Sequence, residues 1–152
     1  MAAATLEQAD AMVRPARVVA LIMPFPGISS GGTPIILQGD TGLPGQLFGA
    51  RNSIFPLREG TEMAAYLCAQ AVLSPVARLI NDAAEWLGER VSDKEQGEAF
   101  LRELVASNQS ETESAALIEA LNTRGGFNQR LRLDMEASGM QEALRVGLNR
   151  LK

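Results

Sequence analysis

The pattern of apolar and polar residues changes character near Arg58. Before that residue, short apolar runs lie between clusters of proline and glycine. After it, apolar residues recur every three or four positions, the spacing of one helix face. The sequence therefore predicts a predominantly helical α+β fold with a small N-terminal β-region followed by a bundle of four to five helices. We expect one domain over residues 1–152, with a strand- and loop-rich part (1–58) and a helical part (59–152).

The first part contains one short helix and several short strands. Thr5 and Gln8 have the spacing of a capping box, which predicts a helix over residues 5–13. Two apolar runs, 17–23 and 34–38, predict buried strands. Residues 39–45 are rich in glycine and predict a turn. Residues 46–55 predict one or two further short strands, so that the sheet would hold two to four.

Residues 61–91 form the longest apolar-periodic stretch and hold the only Trp, Cys and Tyr of the chain. Thr61 is a suitable N-cap. Ser74 and Pro75 have the cap-then-proline pattern of a second helix start. We therefore expect a hairpin of two helices, 61–73 and 75–91, with Trp86 as the anchor of the helical core.

Three or more helices are predicted after this hairpin. Ser92 and Glu95 have capping-box spacing for the next helix, and residues 108–110 predict a break before a further helix that begins near Ser110. From Arg130 to Glu136, apolar and charged residues alternate as in a half-buried strand, although the residues themselves favour helix. We favour a helix there and leave the strand as an alternative. Residues 141–151 predict the last helix.

The absence of histidine limits the chemistry that the chain can perform. It excludes Ser-His-Asp and Cys-His catalysis and any zinc site that needs imidazole. The single cysteine excludes an intramolecular disulfide, which fits a reducing compartment. No secretory signal or 20-residue apolar span is recognisable, so we expect a soluble, cytoplasmic protein.

The glycine-rich loop from Gly27 to Thr33 is the first candidate site. Backbone N–H groups of such loops bind phosphate when the loop leads into a helix. Here a predicted strand follows, no lysine follows the glycines, and neither a Walker motif nor G-x-G-x-x-G is present. A hairpin or mobile surface loop is therefore favoured over a phosphate site.

Cysteine and carboxylate chemistry are weaker candidates. Cys68 lies in a predicted helix without a neighbouring cation or base, so a small buried packing residue is favoured over a nucleophile. Asp82, Glu85 and Glu89 flank Trp86 and could bind a cation or serve a carboxylate-dependent enzyme. A solvated acidic helix face is the favoured interpretation.

Charge is distributed unevenly along the chain, which carries a net charge of −4. Residues 59–123 hold four basic and twelve acidic groups, whereas residues 124–152 hold six basic and three acidic groups. The basic residues near the C-terminus could contact nucleic acid, but pairing with acidic helices, within the chain or across a dimer, is favoured. These basic residues are Arg130, Arg132, Arg145, Arg150 and Lys152.

These exclusions lead to a functional hypothesis without catalysis. We expect a protein–protein interaction protein: an adaptor, an assembly or secretion chaperone, an inhibitor, or a small structural subunit of a larger, possibly viral, assembly, in which case it would reside in the host cytoplasm or the virion. We expect no catalytic, cofactor-binding or metal-binding residues and no cofactor. The partner would be another protein or a second copy, as a dimer or higher oligomer, bound through helix faces or the loop from Gly27 to Thr33. The alternatives are a small carboxylate-dependent enzyme for a phosphorylated or sugar ligand, and a weak nucleic-acid binder.

Overall fold

The computed structural model describes residues 5–151, with the side chains at 110 and 111 excepted, and divides the chain into two compact units. The first unit ends at Gln70 and the second runs from Ala71 to Leu151. Whether the units form one domain stays a prediction. The predicted α+β class with mostly helical content is confirmed, but the structure contains more helices than the predicted four to five.

The first unit contains the sheet and three helices. In chain order its elements are α1 (Leu6–Met12), β1 (Ala20–Pro24), β2 (Pro34–Gly39), α2 (Gly42–Phe48), β3 (Ser53–Pro56) and α3 (Glu62–Ala69), and a 3-10 turn (Gln70–Val72) leads into the second unit. The predicted capping box of α1 is confirmed, because Thr5 Oγ1 accepts the N–H of Gln8 and the Gln8 side chain accepts the N–H of Thr5.

The sheet has the strand order β1-β2-β3, and its central strand supplies most of the buried side chains of this unit. β1 and β2 are antiparallel, whereas β2 and β3 are parallel and are joined through α2. Ile35 and Leu37 of the central strand are fully buried, and Ile36 and Met63 are 3% and 8% exposed. An apolar central strand is what a sheet covered on both faces requires.

The helix α2 was not predicted, because residues 39–45 predicted a turn and residues 46–55 predicted strands. Two features favour the helix. Asp40 Oδ1 accepts the N–H of Gly42 at 2.6 Å. Pro44 lies in the first turn, where backbone N–H groups have no intrahelical acceptor, so the lack of an N–H in proline costs no hydrogen bond. A glycine-rich sequence thus begins a helix because the N–H of Gly42 has a side-chain partner and Pro44 has no N–H to satisfy.

The second unit is helical. Its elements are α4 (Leu73–Gly88), α5 (Lys94–Glu111), α6 (Ser114–Ala120), α7 (Phe127–Ala137) and α8 (Met140–Asn149). The favoured helix for Arg130 to Glu136 is confirmed, since these residues lie within α7. The predicted break at residues 108–110 is wrong, since α5 continues to Glu111.

The predicted hairpin of residues 61–91 is also wrong. A 3-10 turn (Gln70–Val72) joins α3 to α4 without a loop, and Ser74 and Pro75 lie inside α4, which begins at Leu73, rather than before it. Pro75 is tolerated because it falls in the first turn of α4, where no intrahelical N–H bond is lost. The helix that packs on α4 is α5, which follows a turn at residues 89–93 and is capped by Asp93 rather than Ser92.

Candidate functional site

The loop between β1 and β2 is the most constrained feature of the first unit. Gly27, Gly31 and Gly32 have positive φ angles of 97°, 85° and 73°, a backbone conformation that glycine adopts at low cost. Arg51 Nη2 donates to the carbonyl of Ser30 at 2.9 Å, and the N–H of Gly32 donates to the carbonyl of Arg51 at 2.6 Å. The residues just before β3 therefore hold the loop from two sides.

Asn52 completes this attachment. Its Nδ2 donates to the carbonyls of Ile28 and Phe48, both at 3.3 Å, and its Oδ1 accepts the N–H of Thr33 at 3.3 Å. Thr33 is buried, and its hydroxyl lies 3.5 Å from the carbonyl of Pro26. One amide side chain thus joins the loop, α2 and the first residues of β2. Sequence reasoning missed Arg51 and Asn52, because their role depends on contacts 19 to 24 residues away.

The loop is a hairpin connection, as the sequence favours, because the strands on either side are antiparallel. It does not suit a dinucleotide or phosphate. The N–H groups of Ser30 and Gly31 both donate to the carbonyl of Gly27, at 2.9 and 3.0 Å. Those of Gly32 and Thr33 are engaged by Arg51 and Asn52, and a strand follows instead of a helix N-terminus.

The acidic residues around Trp86 do not form a joint site. Asp82 forms a salt bridge with Arg78 at 2.8 Å, and Glu85 accepts from Asn81 at 2.8 Å. Glu89 pairs with Arg90 at 2.9 Å. The hydrogen bond from Arg78 lowers the pKa of Asp82 and raises that of Arg78 itself. Within residues 5–151, no group of three or more His, Cys, Asp or Glu residues could hold a metal ion.

Trp86 is not the core anchor that the sequence predicts. Its side chain is 60% exposed, and the guanidinium of Arg90 lies 4.1 Å from the centre of its ring. This is the geometry of a cation–π contact. The prediction failed because helical periodicity identifies the apolar face of a helix without showing that another helix of the same chain covers it. Cys68 lies on α3 and is half-buried.

Two of the basic residues near the C-terminus, Arg132 and Arg145, form local pairs. Arg132 bonds to Glu136 Oε1 and to Asn122 Oδ1, both at 2.8 Å, and this ion pair is about three-quarters buried. Arg145 pairs with Glu142 at 2.7 Å. Arg130 and Arg150 are exposed, and neither forms a salt bridge within residues 5–151. Lys152 lies outside the described residues.

One open depression of about 480 Å³ lies between α1 and the segment that precedes β1. Arg14, Arg17 and Asp10 line it, and the Asp10 carboxylate accepts the N–H of Val18 at 3.0 Å. Both arginines are exposed. The depression therefore has basic groups at its rim but no buried polar side chain directed into it.

The fold resembles that of known reductases. A pyrroline carboxylate reductase from Plasmodium falciparum, solved with NADP bound, matches 97% of this chain and 63% of its own with a TM-score of 0.76 and 11% identity. A pyrroline-5-carboxylate reductase from Coxiella burnetii matches 97% of this chain and 61% of its own with a TM-score of 0.75 and 14% identity. No protein-family model and no curated protein matches the chain.

These matches overturn the expectation of a non-catalytic interaction protein, because the two proteins matched in fold are enzymes. The earlier expectation rested on the lack of histidine and of nucleotide motifs, and neither is needed to build this fold. The chain spans less than two thirds of the length of the two reductases. What it has in common with them is the fold.

Proposed function

We propose that this protein belongs to an NADP-dependent reductase that acts on a small cyclic imine carboxylate, as the names of the matched enzymes state for them. The observation that carries the proposal is the likeness of fold over 97% of the chain to two such reductases. Two matches that agree in enzyme type make this reaction class the best supported by the fold, although fold alone does not determine function.

The proposal assigns NADP binding to a part of the enzyme outside this chain. The loop from Gly27 to Thr33 offers no cradle for the pyrophosphate of NADP, because the N–H groups of Ser30, Gly31, Gly32 and Thr33 are engaged internally. The reductases are longer than this chain by more than a third of their length. We assign the dinucleotide cradle to that unmatched portion and derive no catalytic step through NADP from the residues present here.

A fusion protein tests this proposal. The chain is joined to the portion of the Coxiella burnetii reductase that it does not match, and NADPH binding is measured first to show that this portion is folded. We expect loss of NADPH absorbance that depends on added pyrroline-5-carboxylate. The same portion without this chain serves as the control and should bind NADPH without turnover. A fusion that binds NADPH but reduces no cyclic imine carboxylate contradicts the proposal.

The proposal also concerns the helical bundle that the sequence predicts. In the second unit α4 packs on α5, and fewer contacts join α5 to α6 and α7 to α8. We propose that the bundle is completed in the assembled enzyme, because none of the apolar side chains of these helices is buried within the described residues.

A further inference from the structure

The depression between α1 and β1 is formed by a short backbone segment that is tied down at both ends. The N–H of Ala16 donates to the carbonyl of Val13 at 3.0 Å, which closes a turn directly after α1. The Asp10 carboxylate accepts the N–H of Val18 at 3.0 Å and ties the segment back to α1. The backbone that carries the side chains of residues 14–17 is therefore arranged before any ligand binds, which lowers the entropic cost of binding.

Two arginines of this segment, Arg14 and Arg17, line the depression. Both are exposed, and neither forms a salt bridge within residues 5–151. Residues 1–70 contain four basic residues, and the other two, Arg51 and Arg58, do not line the depression. Half of the positively charged side chains in this part of the chain therefore lie at one rim without an ion pair.

Two guanidinium groups at one rim favour a phosphate group over a carboxylate. Each guanidinium can donate two parallel N–H bonds to a pair of oxygen atoms. One arginine is enough for a carboxylate, which carries a single negative charge. A phosphate monoester carries a charge of about −1.5 to −2 at neutral pH and has three strong acceptor oxygens. The pair of arginines therefore matches a phosphate monoester both in charge and in the number of donors.

The other groups of the depression limit what the phosphate is attached to. The volume of about 480 Å³ lies in the range of about 300–1,000 Å³ that small-molecule sites occupy, so there is room for more than inorganic phosphate. Asp10 Oδ1 accepts the N–H of Val18, whereas Oδ2 has no partner within residues 5–151 and can accept a hydroxyl group. None of the described residues that line the depression is aromatic, so a nucleobase would find no stacking surface.

We propose that this depression binds a sugar phosphate, with Arg14 and Arg17 on the phosphate group and Asp10 on the hydroxyl groups. The depression lies at the start of β1, whereas the loop from Gly27 to Thr33 follows its end, about 17 Å away across the five residues of the strand. The two places are therefore separate. Because these three side chains all belong to the first unit, which has its own core, binding does not require the proposed reductase activity.

The charge of the whole chain argues against a general attraction of anions. The net charge is −4, and residues 1–70 alone hold four basic and five acidic groups. A phosphorylated ligand is therefore repelled by the molecule at long range. Binding must come from direct contact with Arg14 and Arg17, so a loss of either arginine should weaken it, whereas a loss of an arginine elsewhere should not.

Isothermal titration calorimetry of the purified chain with ribose 5-phosphate tests the proposal, and inorganic phosphate and ribose are titrated separately. We expect saturable binding of ribose 5-phosphate that is tighter than binding of inorganic phosphate, and no binding of ribose. Arg14→Gln and Arg17→Gln should each raise the dissociation constant by about tenfold or more, because each removes a charged two-point contact. Arg58→Gln removes the same charge from an exposed arginine outside the depression, and this matched control should leave binding nearly unchanged.

Asp10→Asn separates the hydroxyl contact from the phosphate contact. The amide oxygen of asparagine can still accept the N–H of Val18, but its NH₂ group accepts nothing, so the preference for ribose 5-phosphate over inorganic phosphate should fall. Three results would overturn the proposal. They are no saturable binding of ribose 5-phosphate at millimolar concentration, a loss of binding in Arg58→Gln as large as in Arg14→Gln, and a preference for ribose 5-phosphate that Asp10→Asn leaves unchanged.

Discussion

The two units of this protein place their apolar side chains differently. In the first unit, a central strand with Ile35, Ile36 and Leu37 lies under a helix that contributes Met63, and all four side chains are buried. In the second unit, five helices present apolar residues at regular spacing, and none of these side chains is buried within the described residues. The first unit therefore has its own core, whereas the second has helices with apolar faces that no described residue buries.

The difference shows that apolar periodicity identifies which face of an element is apolar but does not identify the surface that covers this face. A strand such as β2 is covered from both sides by elements within about 30 residues, so its burial is decided locally. An amphipathic helix only requires that some surface cover its apolar face. That surface need not belong to the same unit or the same chain.

The largest effect is expected from a change in the core of the first unit. Leu37→Ala removes a fully buried side chain and should lower the free energy of unfolding by about 2–5 kcal/mol. Leu47→Ala, at a leucine of the same unit that is 64% exposed, should change it by less than about 0.5 kcal/mol. Urea denaturation followed by circular dichroism measures both. Equal costs for the two variants would mean that the first unit has no core to contrast with the second.

A smaller effect is expected where the loop is attached. Asn52→Ala leaves the N–H of buried Thr33 and the carbonyls of Ile28 and Phe48 without their side-chain partner, at a cost of about 1–3 kcal/mol. Hydrogen exchange of residues 28–33 should become faster. Asn128→Ala, on an exposed face of α7, is the matched control in the second unit. If both variants exchange alike, Asn52 does not hold the loop.

Much of the first unit could be predicted from local sequence. The capping box of α1 needs only Thr5 and Gln8, and the strands β1 and β2 follow from apolar runs bounded by proline and glycine. The helix α2 could not be predicted in this way. Its start depends on Asp40 accepting the N–H of Gly42, and a glycine- and proline-rich sequence otherwise indicates a turn.

The candidate site was less predictable than the fold. Sequence reasoning identified the loop from Gly27 to Thr33 but not the two residues that fix its shape, since Arg51 and Asn52 follow α2 and carry no motif. It also interpreted Trp86 as a core residue, because a lone tryptophan at helical spacing is usually covered by its own chain. An enzyme could not be inferred from the sequence, because the chain contains no histidine, no Walker motif and no G-x-G-x-x-G.

The smallest effect concerns pH and the start of α3. The N–H of Glu59, at 3.0 Å, and then that of Arg58, at 2.7 Å, donate to the Glu62 carboxylate and lower its pKa. A lowered folded-state pKa stabilises the protein above the unfolded-state value of about 4.3, and this contribution is lost as the pH falls through the folded-state pKa. Glu62→Gln should therefore be slightly less stable than wild type at pH 7.

The pH dependence of the same variant checks the cause. The difference in urea midpoint between wild type and Glu62→Gln should shrink as the pH is lowered below about 4.3. Asp93 offers a comparison in the second unit, where its side chain accepts the N–H of Gln96 at the start of α5. A midpoint difference that persists unchanged at low pH would show that the Glu62 charge is not its source.

Collisional quenching of Trp86 fluorescence by acrylamide measures whether the apolar face of α4 is covered, because Trp86 is the only tryptophan and its side chain is 60% exposed. If the second unit leaves this face uncovered, acrylamide should quench the dilute wild-type protein nearly as strongly as it quenches N-acetyltryptophanamide. Weak quenching of the dilute protein, like that of a buried tryptophan, would show that another surface covers Trp86 and would contradict the contrast between the two units.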